Sequence, residues 1–367
     1  MHEIFVNPRA AARCPLFWLA SLCIACVSPH AHALGVYVEQ KSFGHSQGVP
    51  FGAITQGWDV PVSAGALSQG YVLSEAGIRH AGWTLGIQDR YEARVHYNND
   101  TLEFLQTIKK SQLLTVGRDY TILIDINHYK ARGARVSYTF GDANLWHLTL
   151  GGTYLELTDL LAGRLEGVAT PTSNKSYNFN FDVDYFYTKD ALFERKVTAP
   201  FGQGYALDLA FYWQALENLA LRGEITDLYG KLHWDFAPRT VAKGNSATQK
   251  FDSNGYQYFE PAISGRESTE AFDQAFNPHG LFEVEFNYGL LRLNQRTHYT
   301  VDALYPALGT AYNWPGWGLA YGYYTLNTGG ITLGWRGATW TIEIGSDHWN
   351  PTSAHYGEIR VAWVYDI

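Results

Sequence analysis

The chain has 367 residues, of which 46% are hydrophobic, 17% are charged and 15% are aromatic. A formal net charge of −8 leaves no basic footprint, which argues against nucleic acid as a partner. Cys14, Cys23 and Cys26 are the only cysteines, so the rest of the chain has neither a disulfide framework nor a thiolate metal site.

The N-terminal segment has the three parts of a secretory signal. Arg9 and Arg13 supply a positive start, Pro15–Val27 is an apolar stretch too short to span a membrane, and Ala31–Ala33 is an A-x-A cleavage sequence. We therefore predict export of the chain with removal of this segment. A buried N-terminal helix and lipid attachment at Cys26 are the weaker interpretations.

The mature chain, residues 34–367 after a signal peptide over 1–33, has no helix-length apolar segment. Its longest uncharged run, Ala303–Trp335, is interrupted by prolines and many glycines. Water-soluble folds and β-barrels remain, because backbone exposed to lipid must be hydrogen-bonded within a helix or a closed sheet. We expect a plug or a periplasmic lead-in over 34–80.

Several segments alternate between apolar and polar side chains with a period of two residues. Tyr91–Tyr97, Tyr177–Tyr187, Tyr205–Gln214 and Phe282–Leu290 each place large apolar side chains on one face. About 9–11 residues are enough for a tilted strand to cross a bilayer. Several of these runs reach that length, so the pattern predicts transmembrane strands.

Three further segments predict local structure between the alternating runs. Thr101–Gln112 places leucine and isoleucine on one helical face and predicts a short helix, and Thr158–Leu165 is a second candidate. Asp119–Tyr129 and Ala134–Phe140 predict a hairpin that turns around Lys130–Gly133.

The predicted connections are of two lengths. Glu217-Asn218 and Asn327–Gly330 are short turns, whereas 237–280 is long, polar and rich in Gly, Ser and Asn. Outer-membrane barrels combine short periplasmic turns with long outer loops, and this chain has the same asymmetry.

The C-terminal segment Gly357–Ile367 alternates to the end of the chain. Val361, Trp363, Tyr365 and Ile367 share one face with other apolar side chains. The segment resembles the last strand of outer-membrane barrels, which the barrel insertion machinery reads. That resemblance implies an insertion signal at these four residues, although the family usually ends in Phe or Trp where this chain has Ile367.

A second resemblance covers Gly202–Phe236, about a tenth of the chain. This stretch is similar to a hairpin in barrels of the long-chain fatty-acid transporter type, which have an Asp-Leu-Gly or similar corner after the second strand. Here the corner is Asp227–Gly230. The Asn-Pro-Ala hatch motif of that family is absent from 34–367, so the resemblance implies the barrel more than a substrate.

Three motifs that could carry catalysis lack the context that catalysis needs. Gly44–Gly48 matches G-x-S-x-G, but Pro50 and several glycines follow where a helix should begin. The remaining two sets lack the convergence or the neighbouring serine that a metal site or a hydrolase needs; they are Asp347, His348, His355 with Glu358, and Asp125, Asn127 with His128. We predict no catalytic residue, no metal site and no cofactor.

The polar faces of the alternating segments predict the lining of a barrel lumen. They are Arg90, Glu92, Arg94, Asp182, Asp184, Asp208, Arg222, Glu224, His233, Asp235, Glu283 and Glu285. These side chains could line a solute path, or they could neutralise one another and fill the interior.

The sequence as a whole predicts an all-β protein. We expect a closed antiparallel transmembrane β-barrel of about 12–16 strands with one or two short helices in loops or plug. The expected partners are outer-membrane lipid, the insertion machinery and a small solute that passes through, for which a hydrophobic molecule is one candidate. A non-transport barrel with an envelope role and a secreted, sugar-binding β-sandwich are the alternatives.

Overall fold

The computed structural model describes residues 34–56, 61–142, 144–251, 257–259 and 262–367. The predicted signal peptide over 1–33 lies outside the described residues. No helix among those described is long and apolar enough to cross a membrane.

The described residues form two helices and eighteen strands. In chain order they are β1 (Gly35–Ser46), α1 (Phe51–Gln56), β2 (Leu67–His80), β3 (Trp83–Tyr97), α2 (Asn99–Lys109), β4 (Tyr120–Asp142), β5 (Trp146–Ser173), β6 (Ser176–Tyr187), β7 (Gly202–Leu216), β8 (Leu219–Asn245), β9 (Gln249–Phe251), β10 (Gln257–Phe259), β11 (Ile263–Gln274), β12 (His279–Tyr288), β13 (Leu291–Thr300), β14 (Ala303–Trp314), β15 (Gly318–Thr325), β16 (Ile331–Arg336), β17 (Trp340–Ser346) and β18 (Tyr356–Asp366).

Fourteen of these strands close into one antiparallel barrel, within the predicted range of 12–16. β12 to β18 pair in sequence, β18 pairs with β1, and β1 to β5 pair in sequence. The first half of β5 pairs with β7, β7 pairs with β8, and β8 pairs with β12 to complete the circle. The seam between the two ends of the chain runs from Gly35↔Asp366 to His45↔Tyr356 without a break.

Two predictions for segments before β5 differ from the structure. Residues 34–80 hold two wall strands, β1 and β2, instead of a plug or lead-in, because β1 provides the hydrogen bonds that close the seam with β18. The hairpin expected around Lys130–Gly133 is absent, and β4 runs straight through it. A register shift between Lys130 and Ala131 explains the interrupted alternation there.

A second sheet region, which we call the extension, continues past the barrel on the side of β4, β5 and β8. The later part of β5 pairs with β6, and the end of β8 pairs with both β6 and β11. The predicted helix at Thr158–Leu165 is therefore strand, and 237–280 contains the end of β8 and all of β11 instead of being only a loop.

The two ends of the barrel differ. Leu34, Ile367 and the short turns that follow β2, β4, β7, β12, β14 and β16 lie at one end, the turn end. The predicted short turn at Glu217-Asn218 is there, between β7 and β8. The extension and both helices lie at the opposite, loop end. Helix α2 is the short helix predicted at Thr101–Gln112, but it spans Asn99–Lys109. The Asn98 side chain caps it by accepting a hydrogen bond from the Thr101 amide at 2.8 Å.

The outer face of the barrel is an apolar belt bordered by aromatic side chains. At the turn end the exposed outward residues include Trp83, Trp146, Trp213, Tyr288, Tyr312, Trp314, Trp335 and Trp340. Nearer the loop end they include Tyr154, Tyr205, Tyr299 and Tyr324. The strand between Trp146 and Tyr154 rises roughly 27 Å, or about 20 Å after a barrel tilt of about 40°. This is close to the belt of about 25 Å on barrels that span a bilayer.

Candidate functional site in the barrel interior

Eight of the twelve residues predicted to line a lumen lie on the inner face of the barrel. They are Arg90, Glu92, Arg94, Asp208, Arg222, Glu224, Glu283 and Glu285. Their positions follow from the pleat, because the large apolar residues that alternate with them take the outer face.

The other four predicted residues lie in the extension and not in the barrel interior. Asp182 pairs with Lys243, and Asp184 pairs with Arg239 at 2.7 Å, both on the exposed side of β6. His233 and Asp235 also belong to the part of β8 near or beyond the rim. The apolar face of β6 packs on Ala242 and its neighbours instead of lipid, which alternation alone cannot distinguish.

The inner wall near β13 is an ion-pair network. Arg296 on β13 binds Glu343 on β17 at 2.6 Å and Glu358 on β18 at 2.9 Å. His298 and Thr332 also bind Glu358. The three central charges are less than a tenth exposed, so each depends on the others for its solvation.

A second network continues the first toward β8. Arg222 lies 3.6 Å from Glu285, which Arg292 binds at 2.6 Å. Tyr323 donates its hydroxyl to Glu283. The cavity between the two networks measures about 20 Å³ and is lined by Arg222, Glu283, Arg296 and their neighbours. That volume holds about one water molecule, so the charges fill this part of the interior.

Side chains from opposite walls meet across the lumen. Lys41 on β1 binds Glu224 on β8 at 3.0 Å, although these strands are separated by at least five others in either direction around the barrel. Gln69 on β2 likewise reaches Thr300 on β13 at 2.8 Å. The interior is therefore bridged from wall to wall in this structure.

An aromatic cluster occupies the inner face toward the loop end. The Phe43 ring lies 5.1 Å from Tyr305, 5.8 Å from Tyr356 and 5.9 Å from Tyr71, centroid to centroid. His298 stacks on the same Phe43 ring at 5.2 Å. We call Phe43, Tyr71, Tyr305 and Tyr356 the aromatic cluster; it is an inward-facing aromatic patch at the loop end, next to the charged networks.

Several residues that hold the interior together were not among those predicted to line the lumen. Lys41, Arg296, Glu343 and Arg360 lie on segments that also alternate, and each is on the polar face of its strand. The same parity rule that selected Glu283 and Glu285 would have found them. Glu358 was grouped with a loop motif, whereas the strand register places it inside the barrel.

The three catalytic motifs do not assemble into a reacting group. The Ser46 hydroxyl is hydrogen-bonded to Ser68 at 2.6 Å, and the His355 ring faces the Ser46 carbonyl oxygen. The Asp347 carboxylate accepts hydrogen bonds from the backbone amides of His355 and Tyr356, and these bonds hold the loop between β17 and β18. His128 faces Asp159, on the opposite side of β4 from Asn127.

The loop after β6 is organised by one buried carboxylate outside the barrel. Asp190 accepts hydrogen bonds from Tyr185 at 2.5 Å, from the Phe193 amide at 2.9 Å and from Arg195 at 2.6 Å. Burial by itself would raise the pKa of Asp190, but the hydrogen bonds from Tyr185, Phe193 and Arg195 outweigh it and hold the pKa below its ordinary value.

Comparisons with known proteins find similarity only among solved structures, and that similarity is low. No family model matches the sequence, and no curated protein matches it. Among solved structures, the chain is similar to a ΔS2S3 mutant of the TodX monoaromatic hydrocarbon channel, with a TM-score of 0.40 and 10% identity over 92% of this chain and 91% of that one.

Two other solved structures are also similar. The toluene transporter TodX of Pseudomonas putida has a TM-score of 0.39 and 9% identity, over 92% of this chain and 90% of that one. The outer membrane protease OmpT of Escherichia coli has a TM-score of 0.21 and 9% identity, over 92% and 95%. The barrel is defined by its own strand pairing.

Proposed function

We propose that this protein is an exported outer-membrane barrel through which a small hydrophobic solute passes. The apolar belt and its aromatic borders support insertion in a bilayer, because a water-soluble barrel would gain nothing from large exposed apolar side chains on every wall strand. The closed seam between β1 and β18 leaves no unpaired edge in lipid.

The aromatic cluster carries the proposal for the solute. It is an inward-facing apolar patch at the loop end, where a solute from outside would first meet the interior. Rings held about 5–6 Å apart are spaced for aromatic packing, and a small apolar molecule that displaces one ring recovers similar contacts. The ion-paired interior beyond the cluster must rearrange for the solute to leave.

The bridged interior favours a second candidate, a non-transport barrel with a structural role in the envelope. Interiors that are filled by mutually neutralising charges need not conduct at all, and the Lys41–Glu224 contact joins opposite walls directly.

The two candidates differ in permeability. The purified protein would be reconstituted in liposomes that enclose a fluorescent reporter of a monoaromatic hydrocarbon, and the rate of entry would be compared with protein-free liposomes. Passage predicts a faster entry that falls when Phe43→Ala and Tyr305→Ala disrupt the aromatic cluster. Tyr324→Ala, an exposed tyrosine on the outer face, is the matched control and should leave the rate unchanged. An entry rate equal to that of empty liposomes would favour the structural role.

A further inference from the structure

Three residues from three separate strands meet inside the barrel at the level of the β8 bulge. A ring nitrogen of His279, a carboxylate oxygen of Glu92 and one of Asp227 lie within 4.8 Å of one another. The residues come from β12, β3 and β8, and all three are buried. Their distance along the chain explains why no motif in the sequence marks them.

In the part of the chain that the structure describes, one carboxylate oxygen of Glu92 and one of Asp227 lack the partner that burial demands. Among the described residues, neither Glu92 Oε2 nor Asp227 Oδ2 has a hydrogen-bond partner, and each residue is less than a tenth exposed. A buried carboxylate without a partner is costly, so such an atom ordinarily binds a cation or a proton.

The surrounding charges do not balance. Arg90 binds Asp227 at 2.6 Å, and Arg135 binds Asp208 at 3.0 Å and lies 3.6 Å from Glu75. With Glu92 included, four carboxyl groups face two guanidinium groups, an excess of two negative charges when every acid is ionised. A divalent cation would neutralise that excess.

The orientation of His279 suits a metal ligand. Its ring stacks on Tyr71 with centroids 3.8 Å apart, which holds the imidazole in place. Nδ1 lies 3.3 Å from the carbonyl oxygen of Asn277, so a proton on Nδ1 points there and leaves the lone pair on Nε2. Metal-binding histidines are commonly oriented by a carbonyl in this way.

The backbone of β8 is distorted where it presents Asp227. The residue has a φ of +59°, and a bulge opposite Asp208 turns its side chain into the barrel. The Asp227 amide donates to Asp208 at 3.0 Å, which fixes the bulge from the neighbouring strand. A left-handed non-glycine residue costs stability unless its surroundings require it, and ligand presentation is such a requirement.

From these observations we propose that Glu92, Asp227 and His279 bind a divalent transition-metal ion of the zinc class. One nitrogen and two carboxylate ligands with a vacant position for water suit Zn²⁺, and the same set accepts Co²⁺. The ion joins β3, β8 and β12 across the interior and holds the β8 bulge against Arg90. The proposal does not depend on whether the barrel carries a solute.

The test uses the full-length protein, purified in detergent and stripped with a chelator. Addition of Zn²⁺ alone, followed by desalting and elemental analysis, should leave one equivalent bound, and Co²⁺ should give the visible absorption of a low-coordinate site. His279→Gln and Glu92→Gln should each weaken Zn²⁺ binding at least tenfold. His348→Gln and Glu166→Gln, at exposed positions, are the matched controls and should bind as the parent does.

The heat-modifiable gel shift confirms that each variant has folded. If Glu92→Gln fails to fold, His279→Gln and the Co²⁺ spectrum of the parent decide the question. Substoichiometric binding, or equal loss in His348→Gln, would mean adventitious surface binding only and would overturn the proposal. A further outcome is that the parent protein binds no metal while Glu92→Gln raises the stability of the stripped protein. That result would overturn the metal proposal and show that the Glu92 and Asp227 carboxyl groups share a proton.

Discussion

At the residue scale, the direction of each side chain is decided by strand parity. On β7, Tyr205, Leu207 and Leu209 face outward, while Ala206 and Asp208 face the interior. The alternation was visible in the sequence, and the pleat converts it into two chemically different surfaces. Parity does not tell how deep in the belt a residue lies, which requires the register of the whole barrel.

A charged residue placed on the outer face should destabilise the barrel most when it lies midway between the two aromatic borders. Leu209 lies midway between Trp213 and Tyr205, so Leu209→Arg should lower the free energy of unfolding by about 2–4 kcal/mol in a bilayer. Gln203→Arg is on the same face of the same strand but beyond Tyr205, and it should cost only about 0–1 kcal/mol. Urea titration in lipid vesicles measures both. Equal costs at the two sites would place the membrane elsewhere.

The loop organised by Asp190 should be sensitive to acid. The folded pKa of Asp190 is below its ordinary value. Its contribution to the stability of the loop after β6 is therefore complete above about pH 4 and is lost as the pH falls through the folded pKa. Limited proteolysis should therefore cleave the loop after β6 faster at low pH.

Asp190→Asn should show rapid cleavage at neutral pH and little further change on acidification. Asp142→Asn, at the end of β4 and next to a turn at the opposite end of the barrel, is the control. A cleavage rate in Asp190→Asn that still rises as steeply as in the parent would assign the acid sensitivity to another group.

At the scale of elements, the seam between β1 and β18 decides whether the barrel exists. β18 pairs with β17 on one side and β1 on the other, and Trp363 and Tyr365 lie on its outer face with rings stacked 6.1 Å apart. Ile367 follows the strand, and its amide donates to Leu34. The C-terminal strand is thus both the predicted insertion signal and a wall strand.

Deletion of Val361–Ile367 should abolish assembly of the barrel. It removes the partners of β1 from Gly35 to Gln40 and opens an edge that lipid cannot solvate. The measurement is the heat-modifiable gel shift in outer-membrane fractions. Ile367→Phe should assemble at least as well as the parent, because it restores the terminal aromatic that the resemblance implies. A truncated chain that still shifts would show that the seam is dispensable.

At the scale of the whole molecule, opposite walls are joined through the lumen. Lys41–Glu224 and Gln69–Thr300 cross the interior, and two ion-pair networks line the wall beside them. A barrel of fourteen strands has room for an interior path, and these side chains fill it. If solute passes, the bridge must open.

Removal of the Lys41–Glu224 bridge should therefore increase passage. The double variant Lys41→Gln with Glu224→Gln keeps side-chain size but removes the charge attraction across the lumen. Entry of the hydrocarbon probe into liposomes should become severalfold faster. The control removes another Lys–acid pair, Lys243→Gln with Asp182→Asn, which is exposed in the extension. Unchanged passage in the first double variant would show that this bridge does not limit the path.

The sequence by itself determined the fold class and the surface chemistry of the barrel. Period-two alternation and the absence of a helix-length apolar segment were enough for a closed antiparallel barrel, and the helical spacing of Thr101–Gln112 was enough for a short helix. The two predicted lengths of connection were a weaker guide, because 237–280 holds strands as well as loop. Each of these signals is local, because it depends on side chains a few residues apart. The inner-face positions of Glu283 and Glu285 followed from parity in the same way.

Only the tertiary structure decided which alternating strands belong to the wall. Tyr177–Tyr187 alternates along its whole length, yet it pairs beyond the rim, because β5 and β8 both extend past the barrel and hold it between them. Cross-lumen contacts such as Lys41 with Glu224, and the meeting of Glu92, Asp227 and His279, depend on closure and register. Those are properties of the whole circle of strands, and no segment of the sequence contains them.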